Sequence, residues 1–262
     1  MIAHVLRVTV VALALVPAAA GASAVRPPVA LTAVPARLTL QGSAQAAVRI
    51  RNSGTTRVVL DVTRAGFALD VRGRPKIARR GGARSAATWL VLRPRHLALR
   101  PGGSGSLVIE SQVPSDAEPG DHDALVLLVS RPRADARVAV RMRLGIVIVV
   151  RVPGRVERRL RLGPLRVARS GRLRMLELVV ANRGNVTESI ERGRALVSLA
   201  KDGRRFGTLG AASRRFRPRT SGILQFRYRG ARHGWVTAGV VISGEPGKPG
   251  RSVVRRRYRI RL

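Results

Sequence analysis

An internal repeat constrains the fold of this chain more than any other feature of its sequence. Residues 48–54 match residues 178–184 at an offset of 130, with an Asn-x-Gly turn at the end of each hydrophobic segment. The same offset places the turn around Gly73 on the turn at residues 202–203. Two copies of one pattern in the same order predict two domains of one fold.

The second half of the repeat follows at a shorter offset. Residues 101–109 match residues 218–226 at an offset of 117, through the shared pattern Pro-x-x-Ser-Gly-x-Leu. Residues 125–130 then resemble residues 238–243. Because the offset falls between these matches, we expect extra residues in the first copy between about 76 and 100.

Each copy ends in a segment that alternates between apolar residues and arginines, residues 137–152 and 253–262. Alternation with period two is typical of a β-strand with one buried face. The first segment is long for one strand, and we expect a bulge or break near Gly145. Short strands between Gly, Pro and Asp turns predict an all-β chain of two tandem immunoglobulin-like β-sandwich domains, at 25–153 and 154–262. A barrel is the alternative.

The N-terminal residues 1–24 have the pattern of a secretory signal peptide. A short basic region precedes an apolar run of nine residues, and the small residues Ala22 and Ala24 fit a cleavage site. The alternative is a membrane anchor, but the run falls short of the ~20 residues that a spanning helix needs. We therefore expect an exported protein with no membrane-spanning segment after cleavage. Its location would be secreted or extracytoplasmic, or associated with the cell wall.

The charge balance limits the partners of this chain. Lysine and arginine total 50 against 14 acidic residues, for a net charge of +36, and there is no cysteine. The use of arginine in place of lysine is typical of a GC-rich bacterial genome. Genome composition does not explain the small number of acidic residues. A field this positive attracts polyanions. The absence of cysteine excludes disulfides and cysteine metal sites.

The arginines of the two terminal segments are the candidate polyanion-binding residues. On one face of an extended strand they would recur every ~6.6–7 Å, a spacing that could follow a repeating polyanion. A merely solvated face is the alternative. The candidates are Arg137, Arg141 and Arg143 in the first copy and Arg255, Arg257, Arg259 and Arg261 in the second.

The two tryptophans and two asparagines have a structural interpretation first. We expect Trp89 to lie in the core, and its alternative is a platform that stacks on a sugar ring. Trp235 enters a strand and is expected to be buried. Asn52 and Asn182 are expected to bond nearby backbone in turns with positive φ.

Catalytic signals are weak throughout the chain. Residues 121–123 (Asp-His-Asp) could ligate a metal or belong to a triad, but no second cluster completes a ligand set, and capping of backbone groups is the alternative. The sequence around Ser104 lacks the final glycine of a nucleophile elbow. No nucleotide-binding fingerprint is present. We therefore expect neither an enzyme, nor a metal, nor a cofactor.

Residues 36–153 resemble the WxL-interacting, peptidoglycan-binding family of bacterial cell-surface proteins. The resemblance rests on residues 36–40, the turn at 52–54, the pair at 89–90 and the patterns at 97–102, 113–122 and 145–154. It implies an immunoglobulin-like fold at the cell envelope that binds wall polymer or surface proteins. It carries no catalytic residues.

Three functions are compatible with these features. The first is a non-catalytic envelope protein that binds anionic cell-wall polymer or peptidoglycan, or docks a surface protein. The alternative is a secreted chaperone-like module that recognises partner β-strands by edge addition, which an apolar groove and an unpaired first strand would support. The third is an extracellular nucleic-acid binder, which suits the charge but offers few aromatic stacking platforms. Neither the ligand nor the oligomeric state follows from the sequence.

Overall fold

The computed structural model describes residues 27–78, 84–132, 141–170, 173–244 and 253–262. The predicted signal peptide at 1–24 lies outside these ranges. The described residues are organised in β-strands, with one short 3₁₀ helix at Ala87–Trp89. The all-β prediction is therefore confirmed.

The first ten strands form the N-terminal sandwich. They are β1 (Leu31–Val34), β2 (Arg37–Gln41), β3 (Gln45–Asn52), β4 (Val58–Leu69), β5 (Pro75–Ala78), β6 (Leu90–Arg93), β7 (His96–Leu99), β8 (Ser104–Ser111), β9 (Gly120–Ser130) and β10 (Arg143–Val152). One sheet has the order β1-β3-β8-β6, and the other has the order β2-β10-β9-β4-β5 with β7 also paired to β4. Their facing sides enclose an aliphatic core that includes Ile50, Leu60, Ile109 and Ile148.

The remaining nine strands form the C-terminal sandwich. They are β11 (Leu160–Ser170), β12 (Leu173–Asn182), β13 (Glu188–Ile190), β14 (Ala195–Lys201), β15 (Arg204–Gly210), β16 (Arg214–Phe216), β17 (Ser221–Tyr228), β18 (Trp235–Ile242) and β19 (Val254–Arg261). The sheet β11-β12-β17 and the pair β13-β16 face the sheet β15-β14-β18-β19. A second, separate core lies between them, with Leu178, Phe216 and Phe226 at its centre. The domain bounds at 25–153 and 154–262 stay a prediction.

The strand registers show the repeat directly. Ile50 of β3 pairs with Gly105 of β8, and the residues at the predicted offsets, Val180 of β12 and Gly222 of β17, pair in the same way. The match of residues 125–130 to residues 238–243 is wrong by one residue. Since side chains alternate between faces, the residues that face the core in each strand, such as Val126 and Ala238, correspond instead.

The two asparagines of the repeat are fully buried and hold equivalent turns. The Asn182 amide donates to the carbonyls of Val186 (2.8 Å) and Phe216 (2.9 Å), and its Oδ1 accepts the N–H of Gly184 at 2.9 Å. The Asn52 amide donates to the carbonyl of Thr56 at 2.8 Å, and its Oδ1 accepts the N–H of Gly54 at 3.0 Å. The predicted bonds to backbone are confirmed.

The expected positive φ at these two turns is wrong. Neither Gly54 nor Gly184 is among the positive-φ residues. Glycine is required at both positions because the backbone of a neighbouring segment lies too close for a Cβ atom. A Cβ on Gly54 would lie 2.5 Å from the Pro28 carbonyl oxygen, and one on Gly184 would clash with the Glu157 carbonyl oxygen.

The alternating segment at the end of the first copy is β10. Ile146, Ile148, Val150 and Val152 are buried, as the alternation predicts. The break expected near Gly145 is wrong, since β10 pairs with β9 from Arg143 to Val152 without a shift of register. Gly145 fits an unbroken strand because its missing side chain leaves room for Leu125, whose Cδ1 would lie 3.2 Å from an added Cβ.

The extra residues of the first copy contain the 3₁₀ helix and strand β6. The strand β6 pairs with β8, whereas the described residues show only an isolated bridge between Ala211 and Phe226 at the equivalent place on β17. The insertion predicted between about 76 and 100 is therefore confirmed, and Trp89 lies within it.

Candidate functional site

A cleft of about 930 Å³ lies between the two sandwiches. One wall is the outer face of the sheet that contains β10, β9 and β4, and it is apolar: Phe67, Leu69, Leu125, Leu127 and Val147. The opposite wall comes from the C-terminal sandwich and includes Ser213, Arg214 and Arg215. We call this space the cleft.

The apolar wall exists because β9 is hydrophobic on both sides. Residues 124–129 have no polar side chain, so β9 supplies Ala124, Val126 and Leu128 to the core and Leu125 and Leu127 to the cleft. A strand of this kind is typical of a sheet covered on both faces. Here the second cover is only partial, because the cleft stays open to solvent.

The outer edge of β10 opens at the cleft. The Val147 N–H donates to the Ala36 carbonyl at 3.1 Å, and β2 then pairs in parallel from Arg37 opposite Val147 to Gln41 opposite Arg151. Because N–H groups alternate along a strand, those of Arg143 and Gly145 point to the same side as that of Val147. No described residue pairs with that edge over residues 143–146.

The path of the N-terminal segment leaves this edge uncovered. Strand β1 pairs with β3 in the opposite sheet, from Leu31 opposite Asn52 to Val34 opposite Arg49. The chain then crosses at Pro35 and joins β10 only from Arg37 onward. The first strand is therefore paired, and the unpaired edge beside the cleft belongs to β10.

Arginines bring positive charge to the cleft. Arg37, Arg143 and Arg215 line it, and all three side chains keep substantial contact with solvent. Partial burial, and next the positive charge of Arg215, lower the pKa of Arg37. No carboxylate among the described residues forms an ion pair with these three arginines. An anionic group would therefore be favoured at this end of the cleft.

Asp121 joins the two sandwiches through hydrogen bonds. Its carboxylate accepts the Arg151 Nε–H at 2.6 Å and the Thr187 N–H at 2.7 Å. Its N–H donates to the Asn185 carbonyl at 2.8 Å. Burial would raise the pKa of Asp121, but the hydrogen bonds from Arg151 and Thr187 outweigh burial and lower it.

Asp123 forms a second connection through Arg217. The Arg217 Nε–H donates to Asp123 Oδ2 at 2.5 Å and one Nη to the Phe67 carbonyl at 3.0 Å, and the guanidinium lies 4.3 Å from the centre of the Phe67 ring. Burial raises the pKa of Asp123 against the opposing effect of Arg217. Of the alternatives for residues 121–123, the contacts favour a structural role between the sandwiches.

His122 lies between these two aspartates and faces away from both connections. Its Nε2 contacts the Glu118 carbonyl at 2.8 Å, and its ring packs against Trp89 with centroids 4.6 Å apart. Burial lowers the pKa of His122. No group of three His, Asp or Glu side chains in the described ranges is arranged to hold a metal ion. Ser104 begins β8 at an exposed position.

The structure separates the predicted arginines into two sets. Arg143 is exposed at the start of β10 and lines the cleft, and Arg141 is exposed two residues before that strand. Arg137 lies outside the described residues. The second set is exposed on one face of the last strand: Arg255, Arg257, Arg259 and Arg261. The two sets lie on different sandwiches and do not form one surface. Their role in polyanion binding stays a prediction.

The two tryptophans differ from each other in burial. Trp89 is partly buried, packed on the N-terminal core and on His122, so one face of its ring is already covered. Trp235 is 55% exposed, with the Arg259 guanidinium 5.1 Å from its ring. The prediction that Trp235 is buried is wrong, because its position on β18 faces outward beside the exposed arginines.

Sequence reasoning missed Arg37 and Arg215 as cleft residues. Both lie in segments with unremarkable patterns, and only the approach of the two sandwiches brings them together. The long apolar run of β9 was the available signal, since a strand that is apolar on both faces requires a second surface to cover it.

The described ranges contain no helix with the length and apolar character needed to cross a membrane. No protein-family profile matches the chain, and no curated protein matches it. Comparison with solved structures does find similar folds. The class 5 fimbriae chaperone CfaA is 13% identical, with a TM-score of 0.49, over 87% of this chain and 98% of that one.

Two further structures are complexes. The CsuC–CsuE chaperone–tip adhesion subunit complex of Acinetobacter baumannii gives 12% identity and a TM-score of 0.46, covering 88% of this chain and 98% of the other. The Salmonella enterica SafA pilin in complex with the SafB chaperone gives 12% identity and a TM-score of 0.43, over 89% and 96%. Likenesses at this level concern the course of the backbone only.

The resemblance to the WxL-interacting family is wrong. The similar solved structures are fimbrial chaperones, and no family profile supports the resemblance. The patterns at 97–102 and 145–154 that suggested it are a strand end with its turn and the last strand of the sandwich. Such patterns recur wherever a sandwich has these turns.

Proposed function

We propose that this chain is an exported, non-catalytic, chaperone-like protein of two immunoglobulin-like sandwiches that binds an extended strand of a partner protein along β10. The observation that carries the proposal is the uncovered outer edge of residues 143–146, which opens into the apolar cleft. A sheet edge with unpaired backbone groups is a template for another strand.

The backbone geometry selects where a partner strand would pair. The N–H groups of Arg143 and Gly145 point outward, and β2 takes up the same edge from Arg37. A partner strand would therefore continue the line of β2 and end where β2 begins. Gly145 adds no side chain that would obstruct its approach.

The arginines select the direction of the partner strand. A strand parallel to β10 would place its C-terminal end beside Arg37, and an antiparallel strand would place its N-terminal end there. Since Arg37, Arg143 and Arg215 carry positive charge without an ion-pair partner among the described residues, a carboxylate is favoured over an amine. We propose a parallel strand that ends in a free carboxylate.

The cleft wall selects the side chains of the partner. Leu125, Leu127 and Val147 would cover alternate side chains of the added strand, which favours an apolar strand. A partner subunit that exposes such a strand before assembly would suit this site. The proposal rests on the edge and the cleft of this chain.

Binding of cell-wall polymer, the first function considered from the sequence, is less favoured. The family resemblance that implied it is wrong, and the exposed arginines alone do not distinguish wall polymer from nucleic acid. Polyanion binding through either arginine set would be strongly salt-sensitive, whereas strand binding in an apolar cleft would be less so.

The test uses a short synthetic peptide of alternating valine and threonine with a free C-terminal carboxylate, and its C-terminal amide. We expect the carboxylate to bind about tenfold tighter, because a charge-assisted hydrogen bond contributes ~1.5–3 kcal/mol and solvent contact at Arg37 weakens it. Arg37→Gln should remove the difference between the two peptides. Arg49→Gln, an equal charge change on the outer face of β3, should preserve it.

The same titration includes a peptide that is N-methylated at alternate residues. Loss of binding on N-methylation would support backbone pairing. Equal binding of the parent and N-methylated peptides would contradict strand addition, and equal binding of the acid and amide would contradict the role of Arg37. Failure of every peptide to bind would move the function away from this edge.

A further inference from the structure

We propose that the outer edge of β19 is a second strand-addition site, selective for a strand with acidic residues at alternate positions. It involves none of the residues that line the cleft. The observations that carry it are the uncovered edge of this strand and the row of arginines along it. It is separate from the function proposed above.

In the first copy of the repeat, the edge of the last strand already has a partner strand. In the N-terminal sandwich, β10 pairs with β9 on one side and with β2 on the other. In the C-terminal sandwich, β19 pairs with β18, and no described strand pairs with its other edge. The first strand of this copy, β11, stays paired with β12 in the opposite sheet.

Contacts with β11 hold β19 in place without covering its edge. The Tyr258 hydroxyl donates to the Gly163 carbonyl at 2.7 Å, and Arg256 Nη1 donates to the Leu162 carbonyl at 2.6 Å. Both side chains come from the inner face of β19 and cross to the other layer. The open end of the sandwich is therefore closed by side chains, while backbone groups of β19 stay available for a further strand.

Four arginines mark the outer face of this edge, and we call them the comb: Arg255, Arg257, Arg259 and Arg261. All four are exposed, and none has an acidic partner among the described residues. Arg259 is held against the Trp235 ring at 5.1 Å. The residues beside the comb on β18 include Thr237 and Gly239, which are small enough to leave the arginines accessible.

Charge complementarity identifies the partner as an acidic strand. Same-face positions on adjacent strands lie close enough for opposite charges to stabilise the pair and for like charges to oppose it. A strand added to β19 would place every second side chain beside the comb. Acidic residues at those positions would pair with the arginines, which have no other described counter-charge, and the alternate positions would face the sandwich edge near Leu160 and Leu162.

The test compares peptides of equal charge and composition. The first has four glutamates at alternate positions separated by valine or threonine, the second has its four glutamates in one block, and the third is the first peptide N-methylated at alternate residues. Inorganic polyphosphate is a fourth probe. Binding is followed by fluorescence anisotropy at low and high salt, with competition by polyphosphate.

Two variants with the same loss of charge separate the comb from the general field. In the comb variant, Arg255, Arg257, Arg259 and Arg261 are replaced by glutamine. In the matched control, four exposed arginines of the opposite sheet are replaced by glutamine: Arg161, Arg166, Arg227 and Arg229. We expect the comb variant to lose tenfold or more in affinity for the alternating peptide, and the control to change by less than about threefold.

The alternating peptide should also bind better than the block and N-methylated peptides. Equal binding of all three, or tighter binding of polyphosphate, would overturn the proposal in favour of a general polyanion surface. If the wild-type protein binds no peptide and the comb variant self-associates, the comb serves only to protect an edge, and the proposal is wrong. Circular dichroism of both variants verifies their fold. Arg37→Gln should leave this binding unchanged, so the result is independent of the cleft.

Discussion

The two sandwiches have the same pattern of strand pairing but differ at the edge of their last strand. On the outer face of β10 the chain has Arg143, Gly145, Val147 and Val149, whereas β19 has arginine at each equivalent outward position. The first edge is taken partly by β2 and opens partly into an apolar cleft. The second has no described partner and is lined by charge.

This difference places two chemically different edges on one fold. The core positions are repeated because both copies bury equivalent residues of the same strand arrangement. The two asparagine turns are repeated in the same way. The outward positions are free of that constraint. They leave the edge of β10 beside an apolar wall and line the edge of β19 with arginines.

The largest expected change in the free energy of unfolding comes from replacing the two buried asparagines, and we expect it to differ between the two sandwiches. Asn182→Ala should destabilise the C-terminal sandwich by about 3 kcal/mol, because it leaves the Gly184 N–H and two carbonyls unsatisfied. Asn52→Ala should cost the N-terminal sandwich about 2 kcal/mol, since the Asn52 contact with the Leu99 carbonyl is already long at 3.4 Å.

Tryptophan fluorescence can measure each sandwich separately in urea. A Trp235→Phe background leaves Trp89 to report on the N-terminal sandwich, and a Trp89→Phe background leaves Trp235 to report on the C-terminal one. Equal losses in both sandwiches would mean that the longer bonds of Asn52 contribute as much as the shorter ones of Asn182.

A smaller effect separates the two tryptophans themselves. Trp89→Ala should cost about 2 kcal/mol, because the ring packs against the core and His122. Trp235→Ala should change stability by less than about 0.5 kcal/mol, since that ring is mostly in solvent. Urea unfolding followed by circular dichroism measures both, and a comparable cost for the two would contradict this assignment.

The smallest effect concerns the acid response of the N-terminal sandwich. The hydrogen bond from Arg131 lowers the pKa of Asp61 to about 2. A carboxylate with a lowered pKa stabilises the fold above its unfolded pKa of about 3.9, and that stability is lost as the pH falls toward 2. Asp61 pairs β4 with the segments of Arg131 and His96, so the loss should be local.

Hydrogen exchange, corrected for intrinsic rates, should show less protection of the amides of β4 and β7 at pH 2 than at pH 4. The Asp61→Asn variant should have low protection at both pH values. If the wild-type protection does not change across this interval, the pairing of Asp61 with Arg131 contributes nothing measurable.

The repeat made the all-β fold and the equivalence of the two copies predictable from the sequence. The offset of 130 matched Ile50 with Val180 because alternation and turn residues are local signals, and both residues are buried in the structure. The phase of residues 125–130 was wrong because β9 is apolar on both faces, so alternation there carries no information about which side faces the core.

The cleft could not be predicted in the same way. Arg37 and Arg215 are 178 residues apart, and their proximity depends on the contacts that Asp121 and Asp123 make across the two sandwiches. Long-range geometry of this kind leaves no periodic pattern. The comb, by contrast, was visible in the sequence because its four arginines follow the period of a single strand.

The contacts of Arg217 have a mechanical consequence for the cleft. One side chain reaches from the C-terminal sandwich to the Asp123 carboxylate, the Phe67 carbonyl and the Phe67 ring. It therefore acts as a spacer whose length fixes how far the two walls stand apart at that point. A guanidinium is planar and can stack and donate at once, which a shorter or rounder cation cannot reproduce. The separation of the two walls beside Phe67 is thus set by a side chain that does not itself line the cleft.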